Sequence, residues 1–496
     1  MSTAKKFAGQ TAIYGLSTIV SRTLTFFLTP LYVRVLPMAM GGYGVFTYMF
    51  SYASVLNAIL SFGMETTYFR YLNKEEINKQ QVYNNTFGAI IIISTVFLLL
   101  TMPFSNTVAS IIQFGKTSEA DFARFIRYLV AILVLDAWCV IPFAKLRAEG
   151  RPGRFGGIKL ANVMVFVGVN LLLLVVLPFW ISHQYSGWES LQGLVLRNKV
   201  EYIFISNLTA SAVTLLLLLP EIKNVRPNID KAVFKDMLVY SWPVLVANLS
   251  FIVNENFDKL LLGNLLPNDI SESEVAIYGG CAKIAIFLSI FVQAFRLGAE
   301  PFFFSHAKNK NAGQTYARIM DYFVIAICMI FVGLTANIEI LKYFIPKQRY
   351  WVGLPVIPPL LFGYVSLGIY MNLSVWYKLS DQTKYGLYIS GVGAIFTIVL
   401  NYIFIPKYSY MASAWISFSA YTVMMLLSYF WGQKNYPIPY NIKKSLAYIL
   451  SAAFLVYISF YVFNRNIFIG NGLLIAFASV ALYFEWKSLK SIFIKS

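Results

Sequence analysis

The sequence predicts an all-α, polytopic membrane protein with about 14 transmembrane helices. Three observations carry that expectation. Hydrophobic residues make up 58% of the 496 residues, against about 45–50% in soluble domains. Charged residues make up 12%, about half the usual share of about 25%. The apolar residues also fall in continuous runs of about 20, the length that crosses a bilayer as a helix. A soluble chain this long could not cover its surface with so few charges. Continuous rather than alternating apolar runs argue against a membrane-spanning barrel.

The runs appear in order along the chain. The first, 8–33, follows Lys5 and Lys6 and is expected to be retained, because no small-residue cleavage site follows it. Runs at 44–64, 84–103, 124–144, 158–180 and 201–220 complete a first set of six. The last of these is the weakest, since it opens on Glu201. A second set runs through 237–263, 275–298, 317–338, 352–376, 385–405 and 411–431, and two more follow at 443–463 and 467–485. Orientation is read from lysine and arginine. Counted with the adjoining span ends, alternate segments starting at the N-terminus hold 25, and the opposite segments hold 11. Both termini are therefore expected in the cytoplasm. The net charge of +18 is then mostly topological, so a nucleic-acid partner is not expected.

Short motifs recur between the sets. Gly63-Met64-Glu65 with Tyr68-Phe69 matches Gly298-Ala299-Glu300 with Phe303-Phe304, and Tyr43-Gly44 matches Tyr278-Gly279. Arg147 and Asn170 recur as Lys378 and Asn401. An even number of spans per repeat gives two parallel six-helix lobes, 1–222 and 223–434, around a central cavity. Residues 435–496 form two additional C-terminal helices.

Enzymatic classes find little support. Cys139, Cys281 and Cys328 lie in apolar runs without ligand spacing, and His183 and His306 lie in polar segments. No metal site or nucleotide-binding loop is expected, and the chain is read as a non-enzyme. Polar residues at membrane depth are costly and are instead the functional candidates. Arg22 sits near the middle of the first span on a face with Thr11, Thr18, Thr25 and Thr29. A hydroxyl stripe with one arginine suits a cavity that receives an anion. Asn57, Asn248, Gln293, Arg296 and Lys283 are further cavity candidates. Glu65, with Arg70 near it, Asp136, Glu255, Asp258, Lys259 and Glu300 are candidates for a gate or for coupling to sodium ions or protons. Glu255 is placed to pair with Lys259 four residues on, which leaves Asp258 as a spare acid.

Arg22 in its span, the Gly63-Met64-Glu65-Thr66-Thr67-Tyr68-Phe69-Arg70 segment, and Leu146-Arg147-Ala148-Glu149-Gly150-Arg151-Pro152 together carry a resemblance. The chain resembles the polysaccharide transporter branch of the multidrug/oligosaccharidyl-lipid/polysaccharide (MOP) exporter superfamily, which is similar to O-antigen flippases. The resemblance implies alternating access and transfer of an undecaprenyl-diphosphate-linked oligosaccharide, an O-antigen, capsule or exopolysaccharide unit, to the outer leaflet of the bacterial inner membrane. The expected partners are that substrate, membrane lipids, and a polysaccharide polymerase or other assembly proteins around a monomer. No cofactor is expected. An outward-moving anion gains about 2.3 kcal/mol per charge per 100 mV, so ATP is not physically required. Rival readings are a drug/cation antiporter of the same superfamily, a lipid II flippase, and a membrane polymerase or glycosyltransferase.

Overall fold

The computed structural model describes the chain apart from residues 1–16, 18–19, 22, 39–41, 73–77, 185–188, 190–197, 224–229, 308, 310, 381 and 495–496, and apart from the side chains of 297, 300, 301, 304, 305 and 487–494. The described residues form helices and no strand. Among them, 12 helices are long and apolar enough to cross a membrane, so the protein is an all-helical, multi-pass membrane protein. Two local facts reconcile this number with about 14 spans. The first expected span is described in part, as the apolar helix Thr23–Val35. Lys384–Asn435 is one run of 52 residues that merges two helices across Ser409, whose φ of 49° and ψ of −140° are not helical.

The chain divides into two compact units, Met1–Gly279 with Asn401–Ser409, and Gly280–Leu400 with Tyr410–Ser496. This partition follows contacts, whereas the expected lobes follow the repeat.

In the first unit, α1 (Thr29–Val35) is followed by α2 (Tyr43–Ser61), α3 (Met64–Leu72), α4 (Lys79–Thr101), α5 (Ser105–Ile112), α6 (Glu119–Ala148), α7 (Pro152–Leu171), α8 (Val200–Ile222) and α9 (Lys231–Leu265). The break between α2 and α3 is local chemistry. Phe62 (φ 45°) and Gly63 (φ 67°) are left-handed, a conformation that glycine adopts without strain. Any Cβ on Gly63 would also press on the Ser241 carbonyl at 3.0 Å. The turn after α6 has the same logic, with Gly150 at φ 66° and Pro152 at the first turn of α7. Helix α9 lies along α2 and α3. Tyr48 Oη donates to Asn264 Oδ1 at 2.7 Å, and the hydroxyls of Thr67 and Ser241 share a 2.7 Å bond. Interhelical hydrogen bonds in membranes contribute about 0.6–2 kcal/mol each, so side-chain packing holds the bundle and these bonds set its register. Of the residues matched by the internal repeat, Tyr43 and Tyr278 are buried, as are Asn170 and Asn401, whereas Gly63 packs at a left-handed turn and Gly298 lies exposed inside a helix.

In the second unit, α10 (Ser271–His306, whose first turns belong to the first unit) leads to α11 (Ala312–Ala336), α12 (Ile357–Leu373), α13 (Lys384–Asn435, whose Asn401–Ser409 stretch belongs to the first unit), α14 (Ile442–Tyr457) and α15 (Ile467–Ile494). The C-terminal pair is fastened to α11 by polar contacts. Lys444 reaches Asp321 at 3.4 Å and Glu485 at 2.8 Å, and Asn337 and Asn471 exchange amide hydrogen bonds at 3.1 Å.

Candidate functional site

The first unit encloses a cavity of about 590 Å³. Six pieces of chain build its walls. Ser21 and Thr25 come from the first span, Asn57 from α2, and Glu65 from the start of α3. Helix α6 contributes Asp136 and Arg147, α7 contributes Lys159 and Asn162, and α8 contributes Asn207, Ser211 and Thr214. On α8 those three residues are spaced four and three apart, so they share a face. Cys139, Phe143 and Phe155 also line the cavity, and with Leu146, Ile158 and Leu218 they pack as an apolar cluster that fixes α6, α7 and α8 against one another.

The polar wall is held by its own bonds. Ser211 donates to Asp136 at 2.6 Å, and Asn162 donates to Thr214 Oγ1 at 2.8 Å. The Lys159 ammonium stands 4.3 Å over the Phe143 ring. Glu65 and Arg147 form an ion pair, and the Arg147 guanidinium lies 5.1 Å from the Phe69 ring centre and 5.8 Å from that of Phe155. Among the described residues, four charged side chains thus face the cavity, two of each sign.

Beside the cavity, the segment after α6 is knotted to the end of α8. Glu221 receives Lys145 at 3.6 Å, Arg151 at 2.9 Å and Arg154 at 3.3 Å. Tyr83 donates to its backbone carbonyl at 3.0 Å. The hydrogen bond to Glu149 is the main reason the Arg151 guanidinium is pushed above its ordinary value, with Glu221 adding to it.

Several expected site residues meet here: Thr25, Asn57, Glu65 and Asp136 line one cavity. Arg22, Thr18 and the Glu300 side chain lie outside the described residues. Arg70 does not pair with Glu65; its guanidinium sits 4.0 Å over the Tyr240 ring. Asn248 and Glu255 are exposed on α9. The expected pairing at 255–259 is rearranged. Lys259 Nζ reaches the backbone carbonyl of Glu255 and the carboxylate of Asp258, both at 2.9 Å. Asp258 also accepts from Tyr278 at 2.5 Å. The reason is that Asp258 lies on the buried face of α9 and Glu255 on the exposed one, so the desolvated acid takes the cation. In the second unit, Arg296 lines a narrow crevice with Asn372 and Lys378. Gln293 bonds Ser289 at 3.3 Å, and half-buried Lys283 lines neither hollow. The wall residues Lys159, Asn162, Asn207, Ser211 and Thr214 were not singled out as cavity residues from sequence. Their helical spacing was the available signal.

The comparisons with known proteins agree with this architecture. The MatE family signature matches residues 243–403. No curated protein is matched by sequence. The fold is shared with a solved structure of the lipid II flippase MurJ in an inward closed conformation, at a TM-score of 0.70 and 13% identity, covering 95% of this chain and 98% of that one. It is also shared with the Vibrio cholerae MATE transporter VcmN in the bent form, at a TM-score of 0.52 and 13% identity over 90% of this chain and 98% of that one. An outward-facing multidrug resistance MATE family transporter of the MOP superfamily gives a TM-score of 0.55 at 11% identity, over 87% and 95%. The class these define is a polytopic helical membrane protein of the MurJ and MATE fold.

Proposed function

We propose that the protein is a flippase that moves an undecaprenyl-diphosphate-linked oligosaccharide from the inner to the outer leaflet of the bacterial cytoplasmic membrane by alternating access. The observation that carries this reading is the cavity of the first unit, about 590 Å³, whose mixed wall of hydroxyls, amides and apolar side chains holds two cations, Arg147 and Lys159, beside the acids Glu65 and Asp136. Its volume falls within the range of about 300–1,000 Å³ typical of small-molecule sites. That gives room for a diphosphate and a sugar, while the lipid tail stays in the bilayer. Hydroxyls and amides suit sugar hydroxyls, and the cations suit phosphate. The two six-span repeats, 1–222 and 223–434, are read as the moving lobes, with 435–496 outside them and both termini cytoplasmic.

A drug/cation antiporter would call for unanswered acids in the cavity. Here Glu65 is held by Arg147, while Asp136 accepts a hydrogen bond from the neutral Ser211 hydroxyl and shares the cavity with Lys159. Lipid II as the cargo is the second reading, favoured by the MurJ TM-score of 0.70; it offers the same diphosphate and differs in its sugars. The Asp258 carboxylate already holds the Lys259 ammonium, so coupling to an external cation, if the transport uses one, falls to the other acids, Asp136, Glu255 and Glu300.

Arg22 tests the reading, because its planar fork can bind two phosphate oxygens at once. Arg22→Ala should leave protein in the membrane but block delivery of lipid-linked oligosaccharide to the outer leaflet, and Arg22→Lys should rescue it in part. Normal delivery by Arg22→Ala would remove Arg22 from the anion site. Unchanged delivery in cells lacking the whole protein would end the flippase reading.

A further inference from the structure

We propose that the Glu65 carboxylate occupies, on Arg147, the seat that a phosphate oxygen of the cargo takes on binding, so that the pair is a substrate-displaceable latch. This rests on the diphosphate reading above. Glu65 and Arg147 line the same cavity and pair across α3 and α6. Exposure separates this pair from the Glu221 knot nearby. The Glu65 and Arg147 side chains are 43% and 31% exposed, whereas that of Glu221 is 6% exposed and is held by three cations. A pair wetted to that degree is worth little and exchanges readily.

Arg147 is also built to remain in place when the carboxylate leaves. Its guanidinium stands between the Phe69 and Phe155 rings, and cation–π contact keeps an arginine oriented without an anionic partner. One helical turn beyond Phe155 on α7, Lys159 faces the same cavity. Two cations therefore stand ready for a group of about two negative charges. Glu65 lies two residues past Gly63 of the left-handed Phe62–Gly63 turn, which supplies a joint about which α3 can swing once the bond is released. The acid and the cation recur in the second repeat as Glu300 and Lys378.

The test is binding of farnesyl diphosphate to the full-length protein in phosphatidylcholine nanodiscs, where no anionic lipid competes. Glu65→Gln removes the internal competitor and should tighten binding about two- to fivefold, the worth of a half-exposed ion pair. Arg147→Ala should weaken it about tenfold or more, the worth of a hydrogen bond between charged groups, and Glu65→Gln should not improve the Arg147→Ala protein. A merely structural pair predicts the opposite for Glu65→Gln: lower thermal stability with unchanged or weaker binding. That result overturns the latch, and Glu65→Gln alone decides should Arg147→Ala fail to fold. If the wild type binds no farnesyl diphosphate, the diphosphate reading itself falls. If it binds and Arg147→Ala binds as well, the latch alone falls.

Discussion

Replacing Glu221 by alanine should destabilise the first unit more than any single change among the cations around it. The carboxylate is buried and collects Lys145, Arg151 and Arg154 within 3.6 Å. Removing one partner of a buried pair costs about 3–5 kcal/mol, because the remaining charge is left without compensation. Two of the three cations here are about a third exposed, at 37% for Arg151 and 34% for Arg154. Water screens those two, and the expected loss falls to about 2–3 kcal/mol. Most of it comes from Lys145, at 16% exposure. By the same reasoning Arg154→Ala should cost no more than about 1 kcal/mol, since Glu221 keeps two partners. SDS-driven unfolding in mixed micelles, followed by tryptophan fluorescence, measures both. A Glu221→Ala protein within about 0.5 kcal/mol of wild type would refute the reasoning, as would an Arg154→Ala protein that loses as much as Glu221→Ala.

Two further outcomes follow from the same region. Arg151 is raised by Glu149 and Glu221, so its stabilisation is fully present below the ordinary arginine value and is lost only as pH rises through the still higher folded value. The stability difference between wild type and Arg151→Ala should therefore stay flat from about pH 7 to pH 9, and a decline across that window would contradict the assignment. For topology, cysteines placed at Arg151 and at Asn268 should be labelled by an impermeant reagent from opposite sides of the membrane; labelling of both in intact cells would overturn the orientation.

The fold class was legible because composition and run length are global properties that tertiary packing does not alter. Residues 385–405 and 411–431 were read as separate spans, and the non-helical backbone of Ser409 stands between the two helices that make up Lys384–Asn435. The site was legible where a polar residue interrupts an apolar run. Thr25, Asn57, Glu65 and Asp136 share a cavity for that reason. Choice of partner was less legible. Glu65 has Arg70 close by in sequence and takes Arg147 instead, because the Phe62–Gly63 break turns α3 toward α6 while Arg70 finds Tyr240. Glu255 and Asp258 are equally good acids on paper, and only burial, which sequence spacing does not fix, gave Lys259 to Asp258. The α8 wall was not read from sequence, although Asn207, Ser211 and Thr214 are spaced four and three apart on one face.

The central claim is that the cavity carries a lipid-linked diphosphate sugar across the membrane, and reconstitution tests it most directly. Purified protein in liposomes, loaded with a fluorescent undecaprenyl-diphosphate saccharide, is assayed for arrival of label in the opposite leaflet by a membrane-impermeant quencher. The account predicts protein-dependent movement that needs no ATP and is slowed by loss of Arg147 or Lys159. Liposomes in which the label stays in its leaflet, while the same protein moves a cationic dye against a proton or sodium gradient, would contradict it.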